Sequence, residues 1–163
     1  MWIPDKKRLV KICLHSQGQD VETPWAEDLG EVPGRPGARR VRLANVPILY
    51  TKPTYGDVIV VEPDTTYRKL TWEVRDPIEE DGGRYTVIVE YVVPASGDVP
   101  TAFSALIEVG MKVNVRVQGC FAPKEDQPGL ACLAVPVAVD ARTVLAYFGR
   151  QDLPMSLTLV HPL

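Results

Sequence analysis

The fold is decided by RYTVIVEYVVPASGDVPTAFSALIEVGMKVNVRVQGC, residues 84–120. Residues 85–93 are rich in β-branched and aromatic side chains, which favour a central strand. Asp98 is placed to cap a helix whose first turn contains Pro100. Gly110 is placed to end that helix, and alternating valines over 113–117 then predict a second strand. The segment therefore reads strand, helix, strand.

The residues that follow repeat the same elements in the same order. Residues 130–135 predict a strand, Asp140 is the N-cap of a helix that closes at Gly149, and residues 157–160 predict a last strand. The order strand, helix, strand, strand, helix, strand is that of the ferredoxin-like βαββαβ unit. We expect both helices to cover one sheet face and the other face to stay open.

The first half of the chain is dominated by short strand patterns. They fall at residues 9–14, 40–43, 48–50, 58–62 and 70–74. A small barrel or a strongly curved sheet suits such strands, because closure removes exposed edges. Residues 77–83 are acidic, end in two glycines and predict a hairpin tip or linker. We expect an α+β protein with a β-rich subdomain at 1–80 and a ferredoxin-like subdomain at 84–163.

The composition excludes several classes of function. The 163 residues are 45% hydrophobic and 24% charged, with a formal net charge of -3. These values are typical of a soluble globular protein. The basic residues are scattered, which argues against nucleic acid as a partner. The apolar runs are too short to span a membrane, and the first residues do not form a secretory signal. We expect a cytoplasmic protein.

Cysteine and histidine offer little chemistry. The three cysteines, at 13, 120 and 132, are odd in number and lack CxxC spacing, which argues against a disulfide framework or a cysteine zinc site. Cys13 and Cys132 lie in apolar strand patterns, so buried thiols in a reducing cytosol are the expectation for these two residues. His15 and His161 end the first and last predicted strands, and no spacing supplies a third metal ligand. No metal or cofactor is predicted.

Several short motifs carry a resemblance to a known family. They are WAE at 25–27, NVP at 45–47 and GDV at 56–58, with a weaker continuation in AVP at 134–136. In these motifs the chain resembles an uncharacterised bacterial family, domain of unknown function 4265. The resemblance implies a small cytoplasmic bacterial protein and carries no assigned reaction, cofactor or catalytic residue. The insert over residues 31–39 departs from the family pattern.

The same motifs supply the candidate binding residues, which are Trp25, Glu27, Asn45, Tyr55 and Asp57. A carboxylate beside an aromatic ring in a cleft could have a raised pKa and act as an acid. The structural interpretation is favoured for both Glu27 and Asp57, because Asp57 can hold a turn by accepting backbone hydrogen bonds, and Asn45 can likewise form a turn. No catalytic residue is predicted, since no Walker, GxGxxG, GxSxG or HExxH pattern is present.

The sequence therefore favours a non-catalytic binding or regulatory protein for a small molecule or a protein partner. The expected binding surface is the open sheet face or the junction of the two halves, and homodimerisation suits such a fold. One alternative is a bacterial immunity-type protein that neutralises a toxin through an acidic patch at Glu79, Glu80 and Asp81. The other alternative is a small enzyme that uses Glu27 or Asp57.

Overall fold

The computed structural model describes residues 1–16 and 19–161, with side chains for 1–16 and 21–160. Within these ranges the protein is mixed α+β, with many strands and two helices. The chain divides into two compact units. The first is Trp2–Arg84, and the second combines Met1 with Tyr85–Leu163.

The first unit is built on β-strands. A 3-10 turn at Lys6–Arg8 precedes β1 (Leu9–Lys11), β2 (Cys13–Ser16), β3 (Gln19–Glu22), β4 (Trp25–Glu31), β5 (Arg39–Leu43), β6 (Val58–Asp64), β7 (Lys69–Glu73) and β8 (Ile78–Glu80). They form one sheet in the order β1-β4-β5-β6-β7-β2-β3, with β8 beside β6. This is more strands than the sequence pattern predicts.

The sheet is not closed into a barrel, so the small-barrel form of the prediction is wrong. The first predicted strand is interrupted at Ile12, and its two parts take different neighbours. β1 pairs with β4, whereas β2 pairs in parallel with β7. The remaining edge of β2 is taken by β3 in an antiparallel pair. The sheet therefore ends at β3 and does not return to β1.

Two other expectations for this half also need correction. Residues 48–50 are not a strand, since the chain bends at Ile48 and Leu49. Residues 77–83 are more than a linker, because β8 lies inside them and pairs with β6 through Val58↔Glu80 and Ile59↔Ile78. Alternation along these strands buries one face of the sheet. Its core is Ile12, Leu14, Ala26, Val41, Leu43, Tyr50, Ile59, Val61 and Trp72.

The second unit has the element order expected from the sequence. Its elements are β9 (Arg84–Val92), α1 (Val99–Lys112), β10 (Arg116–Phe121), β11 (Gly129–Pro136), α2 (Ala141–Gly149) and β12 (Ser156–His161). The four strands lie in the order β10-β11-β9-β12. The apolar faces of α1 and α2 share a core with alternate residues of β9, β10 and β11. Neither helix is long and apolar enough to cross a membrane, over the residues described.

Both predicted N-caps are confirmed. Asp98 accepts a hydrogen bond from the Thr101 amide at 3.0 Å, and Asp140 accepts one from the Arg142 amide at 2.8 Å. These bonds satisfy amides that have no partner inside the helix. The predicted end of α1 at Gly110 is wrong, because the helix continues to Lys112. The left-handed residue beyond it is Asn114, with φ 59°.

Candidate functional site

A groove of about 430 Å³ opens on the first unit. This volume lies within the range that binds small ligands, roughly 300–1,000 Å³. The groove lies over β2, β6 and β7 and the turn that leads to β8. Its lining residues are His15, Arg35, Val60, Glu62, Pro63, Asp64, Thr71, Glu73, Asp76, Pro77 and Glu79.

Strand pairing explains why polar residues converge on this groove. β6 and β7 are antiparallel and place Glu62 opposite Thr71, while the parallel β2 and β7 place His15 beside Glu73. Leu70 and Trp72, the intervening residues of β7, point into the core. Because side chains alternate along a strand, the polar positions share the face opposite the core. The groove is therefore the outer face of this part of the sheet.

The groove carries a strong excess of negative charge. Its lining includes the carboxylates of Glu62, Asp64, Glu73, Asp76 and Glu79, against the one cationic side chain of Arg35. Glu62 forms an ion pair with Arg35, and Glu73 lies 2.7 Å from the Nε of Arg75. Both arginines are more than half exposed, at 52% and 68%. Such exposed pairs are weak and can exchange partners.

Two aspartates of the groove are oriented by the backbone. Asp64 accepts hydrogen bonds from the amides of Thr66 at 2.7 Å and Tyr67 at 3.2 Å, and Asp76 accepts one from the amide of Glu73 at 2.9 Å. The bond from the Tyr67 amide, followed by that from Thr66, lowers the pKa of Asp64. Within the described residues, neither aspartate forms an ion pair with lysine or arginine.

One oxygen of the groove is buried and under-coordinated. Glu73 Oε1 has no aligned hydrogen bond, although it lies close to the Arg75 guanidinium. Carboxylate oxygens accept several hydrogen bonds, but this atom is buried beside Arg75, so a donor in the groove reaches it only where the Arg75 side chain moves away. The chemistry available here is the binding of cationic N–H donors.

The predicted binding residues lie elsewhere in the same unit. Trp25 is 43% exposed at the start of β4, where its amide donates a hydrogen bond of 2.6 Å to Asn45 Oδ1. Lys11 Nζ lies 5.2 Å from the centre of the Trp25 ring. Asn45 thus fixes the turn against β4, as the structural interpretation expects. Glu27 is buried, and its carboxylate lies 3.7 Å from the guanidinium of Arg8.

Asp57 lies at the centre of a buried polar clasp. Its Oδ2 accepts a hydrogen bond from the Thr54 amide at 2.8 Å, and its Oδ1 accepts one from the Gly82 amide at 2.7 Å. Lys52 Nζ lies 3.1 Å from Asp57 Oδ1 and 2.6 Å from Asp81. Burial raises the pKa of Asp57, against the lowering by the two amides and Lys52. The clasp ties residues 52–57 to residues 81–82.

This geometry gives Asp57 a structural role. The residue is fully buried and both of its oxygens are held by protein donors. Tyr55 is also buried, and its hydroxyl donates a hydrogen bond to the carbonyl of Trp2. Tyr55 lines a hollow of about 280 Å³ with Trp2, Arg42 and Arg84, away from Glu27 and Trp25. No described pocket joins Trp25 to Tyr55, which is the arrangement that an enzyme using these residues needs.

The groove could not be predicted from the sequence because its residues are distant along the chain. A signal was present in the alternating Glu62-Pro63-Asp64, whose two carboxylates point the same way on a strand. Pairing that signal with Glu73 required knowledge of the strand register. None of Trp25, Glu27, Asn45, Tyr55 and Asp57 lines the groove.

The acidic patch expected at residues 79–81 is largely neutralised within the unit. Glu79 and Glu80 both bind the Arg40 guanidinium, at 2.9 and 2.6 Å, and Asp81 binds Lys52. Of these three side chains, only Glu79 also lines the groove. In the part of the chain that the structure describes, no three histidine, cysteine or acidic side chains form a group that could hold a metal ion.

The chain matches no protein-family model, none of the curated proteins and none of the solved structures compared with it. The resemblance to domain of unknown function 4265 stays a prediction.

Proposed function

We propose that this chain is a non-catalytic binding protein whose acidic groove receives a guanidinium or alkylammonium group. The observation that carries the proposal is that Asp64 and Asp76 line the concave groove without an ion pair to lysine or arginine among the described residues. The other three carboxylates of the lining, Glu62, Glu73 and Glu79, are paired with Arg35, Arg75 and Arg40. The groove differs from the surfaces expected from the sequence, the open sheet face and the junction of the halves, which stay predictions.

The chemistry of the lining favours a cation over a neutral ligand. Asp64 has a lowered pKa and therefore carries its charge at neutral pH. Its backbone bonds also fix its direction, so little side-chain entropy is lost when a ligand binds. The exposed Arg35 and Arg75 occupy two further carboxylates as internal cations that a ligand can displace.

The positions of the two candidate acids, Glu27 and Asp57, support a binding role rather than a catalytic one. Asp57 is enclosed in its clasp, and Glu27 is buried against Arg8. A general acid or base must reach the proton that it transfers. The burial of both carboxylates supports the binding role over the enzyme alternative.

A scaffold role suits the second unit. We propose that residues 84–163 form a ferredoxin-like unit, which the βαββαβ order and the strand order β10-β11-β9-β12 support. This fold serves many functions and assigns none by itself. A cytoplasmic location and a homodimer stay predictions.

The immunity-type alternative would use the same groove. A basic toxin would supply the cation as a lysine or arginine side chain, whereas a polyamine would supply it as a free molecule. The groove suits a cation from either source. The acidic patch expected at Glu79, Glu80 and Asp81 is a weaker candidate surface, because these side chains pair with Arg40 and Lys52 in the same unit. The test below separates the two sources.

Isothermal titration calorimetry of the full chain tests the proposal, with spermidine and an arginine-rich peptide as probes. We expect binding that weakens about five-fold or more in a variant carrying Asp64→Asn and Asp76→Asn. Asp126→Asn is the matched control, because it removes an exposed carboxylate in the second unit. Affinity for the peptide alone would favour a protein partner. Affinity for neither probe, or no effect of the double variant, would overturn the proposal.

A further inference from the structure

Two cysteines of the second unit lie side by side across a pair of strands. Cys120 is on β10, Cys132 is on β11, and their sulfur atoms are 2.9 Å apart. Both residues are thiols in this structure. A disulfide would bring the two sulfurs to about 2.0 Å, so little movement separates the thiols from a bond.

A β-bulge accounts for the approach of residues that do not face each other in the ladder. Cys132 pairs with Gln118, and the register shifts between Gly119 and Phe121, at Cys120. An extra residue in one strand increases the local twist and redirects its side chain. The bulge at Cys120 thus directs this side chain towards Cys132.

We propose that Cys120 and Cys132 are a reversible redox pair that closes into a disulfide across the β10–β11 hairpin. The inference is independent of the cation-binding groove, which lies in the other unit. The spacing of the cysteines in the sequence gives no sign of it, since the two residues are twelve apart and outside any CxxC motif.

Exposure assigns different roles to the two sulfurs. Cys120 is partly exposed, whereas Cys132 is fully buried. Hydrogen peroxide therefore reaches Cys120, whose thiolate attacks one peroxide oxygen. The S–O bond forms, the O–O bond breaks and hydroxide leaves, which takes up the proton that the thiol lost. Cys120 becomes a sulfenic acid, and peroxide is reduced by two electrons.

Cys132 then resolves the sulfenic acid. Its sulfur attacks the Cys120 sulfur, the S–S bond forms and the S–O bond breaks. The departing hydroxide takes the Cys132 proton and leaves as water. In total, two thiols and one peroxide give one disulfide and two water molecules. A dithiol reductant reverses the change by exchange.

Cys13 supplies an internal reference. It is buried in the first unit, and burial raises the pKa of its thiol. A raised pKa leaves less thiolate, the reactive form, so Cys13 should stay reduced under the same conditions.

The test counts reactive thiols in the reduced full chain before and after exposure to peroxide. The protein is then denatured, alkylated with N-ethylmaleimide and weighed. We expect maleimide on all three cysteines of the reduced chain and on Cys13 alone after oxidation, with full recovery by dithiothreitol. A Cys120–Cys132 linked peptide should appear in the non-reducing digest. The cross-linked chain should also melt several degrees higher.

Three variants make the result specific. The Cys120→Ser and Cys132→Ala variants each retain two cysteines. In both variants these two thiols should remain open to alkylation or further oxidation, and no linked peptide should form. The Cys13→Ser variant should still form the Cys120–Cys132 disulfide. The proposal is overturned if the oxidised wild-type chain still takes three maleimides. It is also overturned if Cys120 proceeds to sulfinic acid while Cys132 remains alkylatable. Oxidised glutathione must give the same link by two successive exchanges, and a persistent mixed disulfide would contradict the pair.

Discussion

Asp57 shows how one residue can fit two interpretations until its partners are known. Its position after Gly56 correctly suggests a carboxylate that accepts backbone hydrogen bonds in a turn. One partner, the Thr54 amide, is local, but the Gly82 amide is 25 residues away and could not be predicted from the turn. The full burial of this carboxylate also cannot be read from the sequence, although the apolar run 58–61 follows it directly. The turn-forming role of Asp57 could therefore be predicted from the sequence, whereas its long-range hydrogen bond to Gly82 could not.

Removal of the Asp57 carboxylate should destabilise the first unit strongly. Asp57→Ala leaves two amides and the Lys52 ammonium without their acceptor, and we expect a loss of about 3 kcal/mol in the free energy of unfolding. Urea denaturation followed by tryptophan fluorescence measures it, because Trp2, Trp25 and Trp72 all lie in this unit. Asp126→Ala is the control, expected within about 0.5 kcal/mol of wild type. A comparable small change in Asp57→Ala would refute the clasp.

The ion pair between Asp28 and Arg39 should give a pH-dependent contribution. Burial would raise the pKa of Asp28, but the hydrogen bonds from Arg39 and the Gly30 amide outweigh it and lower that pKa. Since the folded pKa lies below the unfolded value of about 3.9, the stabilisation is present above that pH and is lost as pH falls through the folded pKa.

We therefore expect Asp28→Asn to cost about 1 kcal/mol near neutral pH and progressively less as the pH falls through the folded pKa of Asp28. Denaturation of both proteins across this range measures the difference. A cost that stays constant with pH would show that the charge of Asp28 is not its source.

At the scale of elements, the helix N-caps could be predicted from the sequence, whereas the close packing of Gly110 against a neighbouring strand could not. Asp98 and Asp140 cap α1 and α2 because capping depends on residues three positions apart or fewer. Gly110 was interpreted as a helix end from the same local rules. In the structure it is a buried position inside α1 where a Cβ would lie 2.7 Å from Val117 Cγ2 and 2.9 Å from the Val115 carbonyl. Only the packed fold reveals that requirement.

Gly110→Ala should therefore destabilise the second unit, although alanine is the better helix former. Propensity alone predicts a gain of up to about 1 kcal/mol, whereas overpacking against Val115 and Val117 costs about 1–3 kcal/mol. Gly149→Ala is the matched control, because a Cβ there meets nothing within 4 Å. Circular dichroism of the helices during denaturation distinguishes the two. Stabilisation by Gly110→Ala would contradict the close approach.

At the scale of the whole molecule, the sequence predicted a β-rich half and a half with two capped helices, and the structure has both. The net charge of -3 gave no indication of an acidic groove, because basic residues such as Arg39 and Arg42 pair with acids outside the groove in the same unit. The net charge of a chain does not say where its charged side chains lie in the folded protein. The groove exists only through the pairing of β6 and β2 with β7, which no local pattern specifies.

Salt should weaken cation binding if the groove acts through its charge. Raising sodium chloride from about 0.05 M to about 0.5 M shortens the screening length several-fold, so we expect at least about ten-fold weaker binding of spermidine. Calorimetric titrations at matched pH measure it, with the double variant Asp64→Asn and Asp76→Asn expected to show a shallower dependence. Affinity that does not change with salt would point to contacts other than the carboxylates.

The most direct test of the groove is an NMR titration of the nitrogen-15-labelled full chain with spermidine. We expect saturable amide shifts at Asp64, Thr71 and Asp76, and unchanged signals along α1 and β10. Shifts confined to the second unit, or no saturable shift in the presence of millimolar spermidine, would contradict the proposed cation-binding function.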